Sequence, residues 1–208
     1  MSTHRIGVVA DTHCPEYLEA LPPGLARALE GVEIILHGGD VGGVETLATL
    51  QRIAPVQAVR GDHDRDLDLP ARRAVEVGGV TIGLLHGNRG HLIEEPLTLL
   101  NTFAFGHLSL RSGLFGWLPR QFPGADVIVY GHTHAPDIRM AGSTLLFNPG
   151  AVYQVTPAMA LSRLRREPGW FSWTWLQVMR HRRRWPPPSV GILEIVDGRV
   201  KASIIPLQ

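Results

Sequence analysis

In Val56-Gln57-Ala58-Val59-Arg60-Gly61-Asp62-His63-Asp64 a short, mainly apolar run, Val56–Val59, gives way to Arg60-Gly61 and then to carboxylate and imidazole in succession. A run of this length reads as a buried strand with a tight turn at its carboxyl end. The same phrase recurs along the chain. Ile6–Ala10 ends at Asp11-Thr12-His13, and Val32–Leu36 ends at His37-Gly38-Gly39-Asp40. Val80–Leu85 ends at His86-Gly87-Asn88, and Val127–Tyr130 ends at Gly131-His132-Thr133-His134. Ligands of α/β sheets collect beyond the carboxyl ends of strands, and glycine there lets the backbone turn and approach a ligand closely.

The segments between these runs give the fold class. Leu25–Leu29, after Pro22-Pro23-Gly24, and Val44–Ile53, with apolar residues at Val44, Leu47, Ala48, Leu50 and Ile53, have helical spacing. Strands alternating with helices imply parallel pairing. Ala74–Val77 and Val80–Leu85 around Gly78-Gly79 read as a hairpin, as do Gly191–Val196 and Val200–Ile205 around Asp197-Gly198. Thr144–Phe147 is a further strand. The expectation is an α/β protein with mixed sheets, one domain over residues 1–208, broken by long connections at about 93–123 and 157–188.

Composition bounds the answer. The 208 residues are 44% hydrophobic and 19% charged, which excludes a disordered or collagen-like chain. Cys14 is the one cysteine, so no intrachain disulfide framework exists. The apolar run Ile6–Ala10 is too short for a secretory signal, and Trp170–Met179 is too short to span a bilayer. These features point to a soluble, cytoplasmic protein. The formal net charge of +1 hides an asymmetry: Ala160–Trp185 holds seven arginines against Glu167, leaving a mildly acidic body.

Each strand-end fragment alone fits a solvated turn. Their joint recurrence favours a metal site. Carboxylates cannot converge without a cation between them, because like charges at a few ångströms repel strongly. Mixed histidine and aspartate ligands suit Mn, Fe, Ni or Zn, whereas all-oxygen sites suit Ca or Mg. So many ligands exceed one tetrahedral ion but suffice for two ions sharing a carboxylate, an arrangement suited to in-line phosphoryl displacement.

The ordered set Asp11-x-His13, Gly39-Asp40, Gly61-Asp62-His63-Asp64, His86-Gly87 and Gly131-His132-x-His134 resembles the signature of calcineurin-like metallophosphoesterases. Asn148-Pro149-Gly150 with the late hairpin is similar to the small bacterial and archaeal phosphodiesterase branch. The resemblance implies two packed mixed sheets flanked by helices in a four-layer sandwich. It implies that Asp11, His13, Asp40 and His134 hold one divalent metal. Asp62, His86 and His132 would hold the second, with Asp40 bridging. It implies attack on a phosphate ester by a metal-bridging hydroxide, with His63 contacting phosphate or protonating the leaving oxygen. Mn is the expected metal, with Fe, Ni or Zn as alternatives. Asp62 stands where the family has asparagine; the added negative charge favours phosphodiesters over dianionic monoesters, or simply alters metal preference. A non-catalytic interaction scaffold is the alternative on this fold.

Around the site, His37 is expected to support a ligand, Asp64 to orient His63, and Asp66 and Asp68 to lie in a solvated loop. The long connections carry Phe103, Phe105, Leu108, Leu110, Leu114, Phe115, Trp117 and Leu118, then Trp170, Phe171, Trp173, Trp175 and Trp185 among the arginines Arg163–Arg184. Phe171-Ser172-Trp173-Thr174-Trp175 fits either a helix or a strand. Three roles compete for these segments: a cap or homodimer contact, a membrane-surface patch, and a nucleic-acid surface. The last two would make the protein a lipid-linked phosphate hydrolase or a nuclease.

Overall fold

The computed structural model describes residues 2–103, 113–166, 169–181 and 186–207. Of the residues singled out above, Phe105, Leu108, Leu110, Glu167, Arg182–Arg184 and Trp185 lie outside these. The chain divides into two compact units.

The first unit comprises residues 1–88, 113–153 and 187–208 and holds two mixed five-stranded sheets flanked by helices. In one, β1 (Thr3–Val9) lies between β9 (Ser189–Val196) and β2 (Ile34–His37), with β3 (Val56–Ala58) and β10 (Arg199–Pro206) at the edges. β1, β2 and β3 are parallel; β9 and β10 form the antiparallel hairpin expected from Asp197-Gly198. In the other sheet the order is β4 (Arg72–Val77), β5 (Val80–Leu85), β6 (Val127–Val129), β8 (Thr144–Asn148), β7 (Asp137–Ala141). β5, β6 and β8 are parallel.

Apolar residues on facing sides of the two sheets form one core: Ile6, Val8 and Leu36 from the first, Ile82, Leu84, Val127, Val129 and Phe147 from the second. The outer face of the first sheet (Val9, Ile35, Ile192) is covered by Leu25 and Leu29 at α1 (Pro23–Ala28) and by Leu50 of α2 (Val44–Gln51). Being covered on both faces explains why β1 and β2 read as continuous apolar runs rather than alternating ones. Residues 113–123, placed by sequence in the first long connection, group with the sheets. Leu114 of α4 (Leu114–Trp117) and Leu118 of the following 3₁₀ turn are buried with Ile128, Tyr130 and Leu146.

The second unit, residues 89–112 and 154–186, is helical. α5 (Pro157–Leu164) packs on α6 (Trp170–His181), which also meets α3 (His91–Phe103). Thr156 caps α5 by accepting from the Met159 amide at 3.2 Å, with Pro157 at the first helical position. The tryptophan segment is thus a helix. No helix among the described residues is long and apolar enough to cross a membrane.

Candidate metal centre

Parallel register sets the site. Val9 pairs with His37 and His37 with Ala58, so β1, β2 and β3 end level. The next residues begin the loops bearing Asp11–His13, Asp40 and Asp62–His63. β5 and β6, also parallel, present His86 and Gly131–His134. The structure brings all seven expected ligands together. Asp11, His13 and His134 offer ligand atoms within 4.8 Å of one another, as do Asp62, His86 and His132, and as do Asp11, Asp40 and His86.

Asp40 lies between the two histidine sets. Its Oδ2 is 3.5 Å from His13 Nε2 and 3.3 Å from His86 Nε2. Its Oδ1 accepts the His63 amide at 2.9 Å, so one oxygen faces both sets while the other is held by backbone. The backbone is bent to achieve this. Among the described residues six non-glycines have positive φ, and five are Asp11, Asp40, His13, His132 and His134, at +46° to +64°. This left-handed region costs a side chain with a Cβ, and strain of this kind gathers at sites where function demands it. In an extended segment His132 and His134, two positions apart, would share one face. The two left-handed residues instead make Gly131–His134 a turn, with the Thr133 amide donating to Gly131 O at 2.7 Å, and send each histidine to a different set. Gly61 permits the close approach of two loops: a Cβ there would strike the Asp40 carboxylate and amide.

Supporting hydrogen bonds fix which histidine nitrogen faces inward. His86 Nδ1–H donates to Gly38 O at 2.8 Å, aiming Nε2 at Asp40. His13 Nδ1–H donates to Glu16 Oε2 at 3.2 Å, aiming Nε2 likewise. His37 Nδ1 accepts the Gly39 amide at 3.2 Å. Its Nε2–H therefore donates to Thr12 Oγ1 at 3.1 Å, and the Thr12 hydroxyl donates to Val41 O at 2.7 Å. Burial pushes His37 down to about 4, consistent with this neutral tautomer. Asn88 donates to Asp62 Oδ1 at 2.5 Å, leaving Oδ2 toward His132 Nδ1 at 3.4 Å. Buried Asn148 donates to Gly131 O at 2.8 Å and to Thr133 Oγ1 at 3.2 Å, clamping the turn that carries His132 and His134.

Asp64 does not orient His63. Its Oδ1 accepts the amides of Val41 and Gly42 at 2.8 and 3.1 Å, and its Oδ2 accepts that of Gly61 at 2.9 Å, so it ties the Asp40 loop to the Asp62 loop. The partner of His63 is Glu16, whose Oε1 accepts from His63 Nδ1 at 2.9 Å. Glu16 thus spans His13 and His63 with its two oxygens. Sequence reasoning missed Glu16 because 47 positions separate it from His63; its one sequence signal is its place two residues after Cys14 in the first strand-end loop.

The electrostatics fit a cation. Burial lifts Asp11 to about 6 against the pull of His86. Burial also disfavours charge on His86, yet Asp40 and Asp11 raise it to about 10, and His86 in turn holds Asp40 well below the usual carboxylate range. Burial, then His13, lowers His134 to about 3. The hydrogen bond to Glu16 raises His63. Asp11 Oδ2 and His86 Nε2 are buried without a hydrogen-bond partner. Buried polar atoms are otherwise almost always satisfied, and His86 Nε2 faces the Asp40 carboxylate at 3.3 Å, as an atom reserved for a metal would. The donor set of imidazoles and carboxylates fits divalent transition metals.

The fold and this centre define a class. The sequence profile of the calcineurin-like phosphoesterase superfamily domain matches residues 5–165, and the chain belongs to that superfamily, whose members use divalent metals. It is 34% identical over 148 residues to a probable metallophosphoesterase of Methanothermobacter thermautotrophicus, spanning 70% of this chain and 76% of that one. It is 35% identical over 149 residues to a probable metallophosphoesterase of Methanocaldococcus jannaschii, spanning 72% and 68%. Among solved structures, vacuolar protein sorting 29 of Cryptosporidium parvum superposes with a TM-score of 0.61 at 20% identity, over 98% of this chain and 97% of that one. A predicted phosphoesterase of Streptococcus pneumoniae superposes with a TM-score of 0.58 at 20% identity, over 99% and 91%.

Proposed function

We propose that the protein is a phosphodiesterase acting through two divalent metal ions. Asp11, His13 and His134 would hold one, Asp62, His86 and His132 the other, and Asp40 would bridge them. The observation that carries this is the single Asp40 oxygen placed between His13 Nε2 and His86 Nε2. Two such ions lower the pKa of water and polarise phosphoryl oxygens. The chain's own residues do the rest. Three carboxylates hold the cations, and Glu16 holds His63 by Nδ1, leaving Nε2 to give its proton to the leaving oxygen. Asp62, a carboxylate where the family has asparagine, adds negative charge that disfavours dianionic monoesters relative to monoanionic diesters. Mn is the metal we favour, with Fe, Ni or Zn also compatible with the donor set.

The test is turnover of bis-p-nitrophenyl phosphate and p-nitrophenyl phosphate by metal-depleted protein reloaded with Mn²⁺. Two bound ions per chain, diester turnover and its loss by more than about 100-fold in Asp40→Asn are expected, on the scale by which even supporting residues alter metal sites. Asp62→Asn should raise monoester relative to diester turnover; an unchanged ratio removes the diester preference. Metal binding without turnover would turn the assignment to a scaffold.

A further inference from the structure

The helical unit leaves a band of apolar side chains in water. Along α3, Leu92, Ile93, Pro96, Leu100 and Phe103 are all exposed, Leu92 to 94% and Phe103 to 66%. At 100° per residue these five fall within about 100° of the helix circumference, so they form one stripe. On α6 of the same unit, Trp170 and Trp173 are exposed to 71% and 51%. Arg165 and Arg166 are exposed at the end of α5. Residues 89–112 and 154–186 together contain nine arginines and three glutamates, a charge of +6, against −5 for the remainder. Contiguous apolar surface on a folded protein marks an interaction site.

We propose that this unit docks on the surface of an anionic lipid bilayer, the α3 stripe entering the acyl boundary and the arginines meeting lipid phosphates. Charge selects this occupant. A second copy would bring +6 against +6, which opposes self-association through this unit. Nucleic acid would satisfy the arginines and stack on the tryptophans, but it offers nothing to the aliphatic side chains of Leu92, Ile93 and Leu100. An amphipathic helix in a unit that also exposes tryptophan and arginine fits the headgroup boundary in all three respects.

The experiment is co-sedimentation of the full chain with vesicles of phosphatidylglycerol and phosphatidylcholine in equal parts, and with pure phosphatidylcholine. Tryptophan emission is followed in parallel. Binding at least about tenfold stronger to the anionic vesicles, weakened by salt and accompanied by a blue shift, is expected. Leu92→Asp with Leu100→Asp should weaken it by about tenfold or more, since each removes a buried leucine side chain from the lipid. Both residues are exposed, so the variant's thermal melt should match the parent's. No vesicle binding overturns the proposal. So does oligonucleotide binding, or self-association in sedimentation equilibrium, that the double variant leaves intact while vesicles remain unbound.

Discussion

Glu16 is the side chain whose role is most open to a direct experiment. Its two carboxylate oxygens each take one imidazole N–H, from His13 at 3.2 Å and His63 at 2.9 Å. Although burial raises its pKa, His13 and His63 hold it well below the usual carboxylate range. It is therefore an anion throughout the working pH range, and its charge is shared between the His13 and His63 rings. Glutamine at this position has one acceptor oxygen, so one of the two histidines loses its partner. Glu16→Gln should lower kcat by about 10–100-fold, the usual cost of removing a residue that orients a metal or proton-transfer ligand. If the loss runs through His63, it will be larger for a diester with an alkyl leaving group than for one with nitrophenolate, which needs no proton. It will also vanish in a His63→Gln background. An equal loss with both leaving groups would place the effect at His13 alone.

At the scale of elements, the site is a set of loops that must be held together after the strands end. Asp64 does this for β2 and β3 by accepting three backbone N–H groups while itself buried. Asp64→Ala leaves those amides without an acceptor and should cost about 3 kcal/mol in denaturant unfolding. Exposed Asp66, in the same loop, should change by less than about 0.5 kcal/mol as Asp66→Ala. Equal effects would mean that Asp64 does not tie the loops. These elements differed in how far the sequence displayed them. β1 from Ile6 onward, β2, β5 and β6 are legible because burial makes them largely apolar, and six of the seven candidate ligands because they follow such runs; Asp62 follows the shorter β3, whose Gln57 is only half-buried. β7 is not among the strands expected from sequence: its apolar Ile138 and Met140 are the exposed positions and Asp137 pairs with Arg139 at 2.6 Å, so it offers no continuous apolar run. The helical state of Trp170–His181 is undecided by sequence because the aromatic residues Phe171, Trp173 and Trp175, at every second position, also satisfy a strand. The left-handed turns at His132 and His134 were invisible, since they are imposed by contacts such as Asn148 with Gly131 rather than by local propensity.

For the molecule as a whole, a metal at the proposed centre would couple protons and stability. Without metal, His86 at about 10 is protonated at neutral pH and neutralises Asp40, while Asp11 at about 6 is only partly ionised in mild acid. A metal needs Nε2 of His86 free of its proton and Asp11 ionised, so binding must expel protons. Affinity should therefore rise with pH, first as Asp11 ionises near 6 and then, through His86, up to about 10. Binding to the folded state alone stabilises it by about 2.7 kcal/mol at a hundredfold excess of metal over its Kd. For a chain of this size that is a Tm increase of about 5–10 °C. Thermal melts with Mn²⁺ and with chelator, at pH 6 and pH 8, read this directly. The Mn²⁺-induced rise should be present at both values and larger at pH 8. Calorimetric titration in two buffers of different ionisation enthalpy should then show proton release. A rise of the same size at both pH values would mean that His86 and Asp11 stand outside the metal's reach, and the pairing of Asp40 with His86 would then be an ordinary buried ion pair rather than the metal-free form of a metal site.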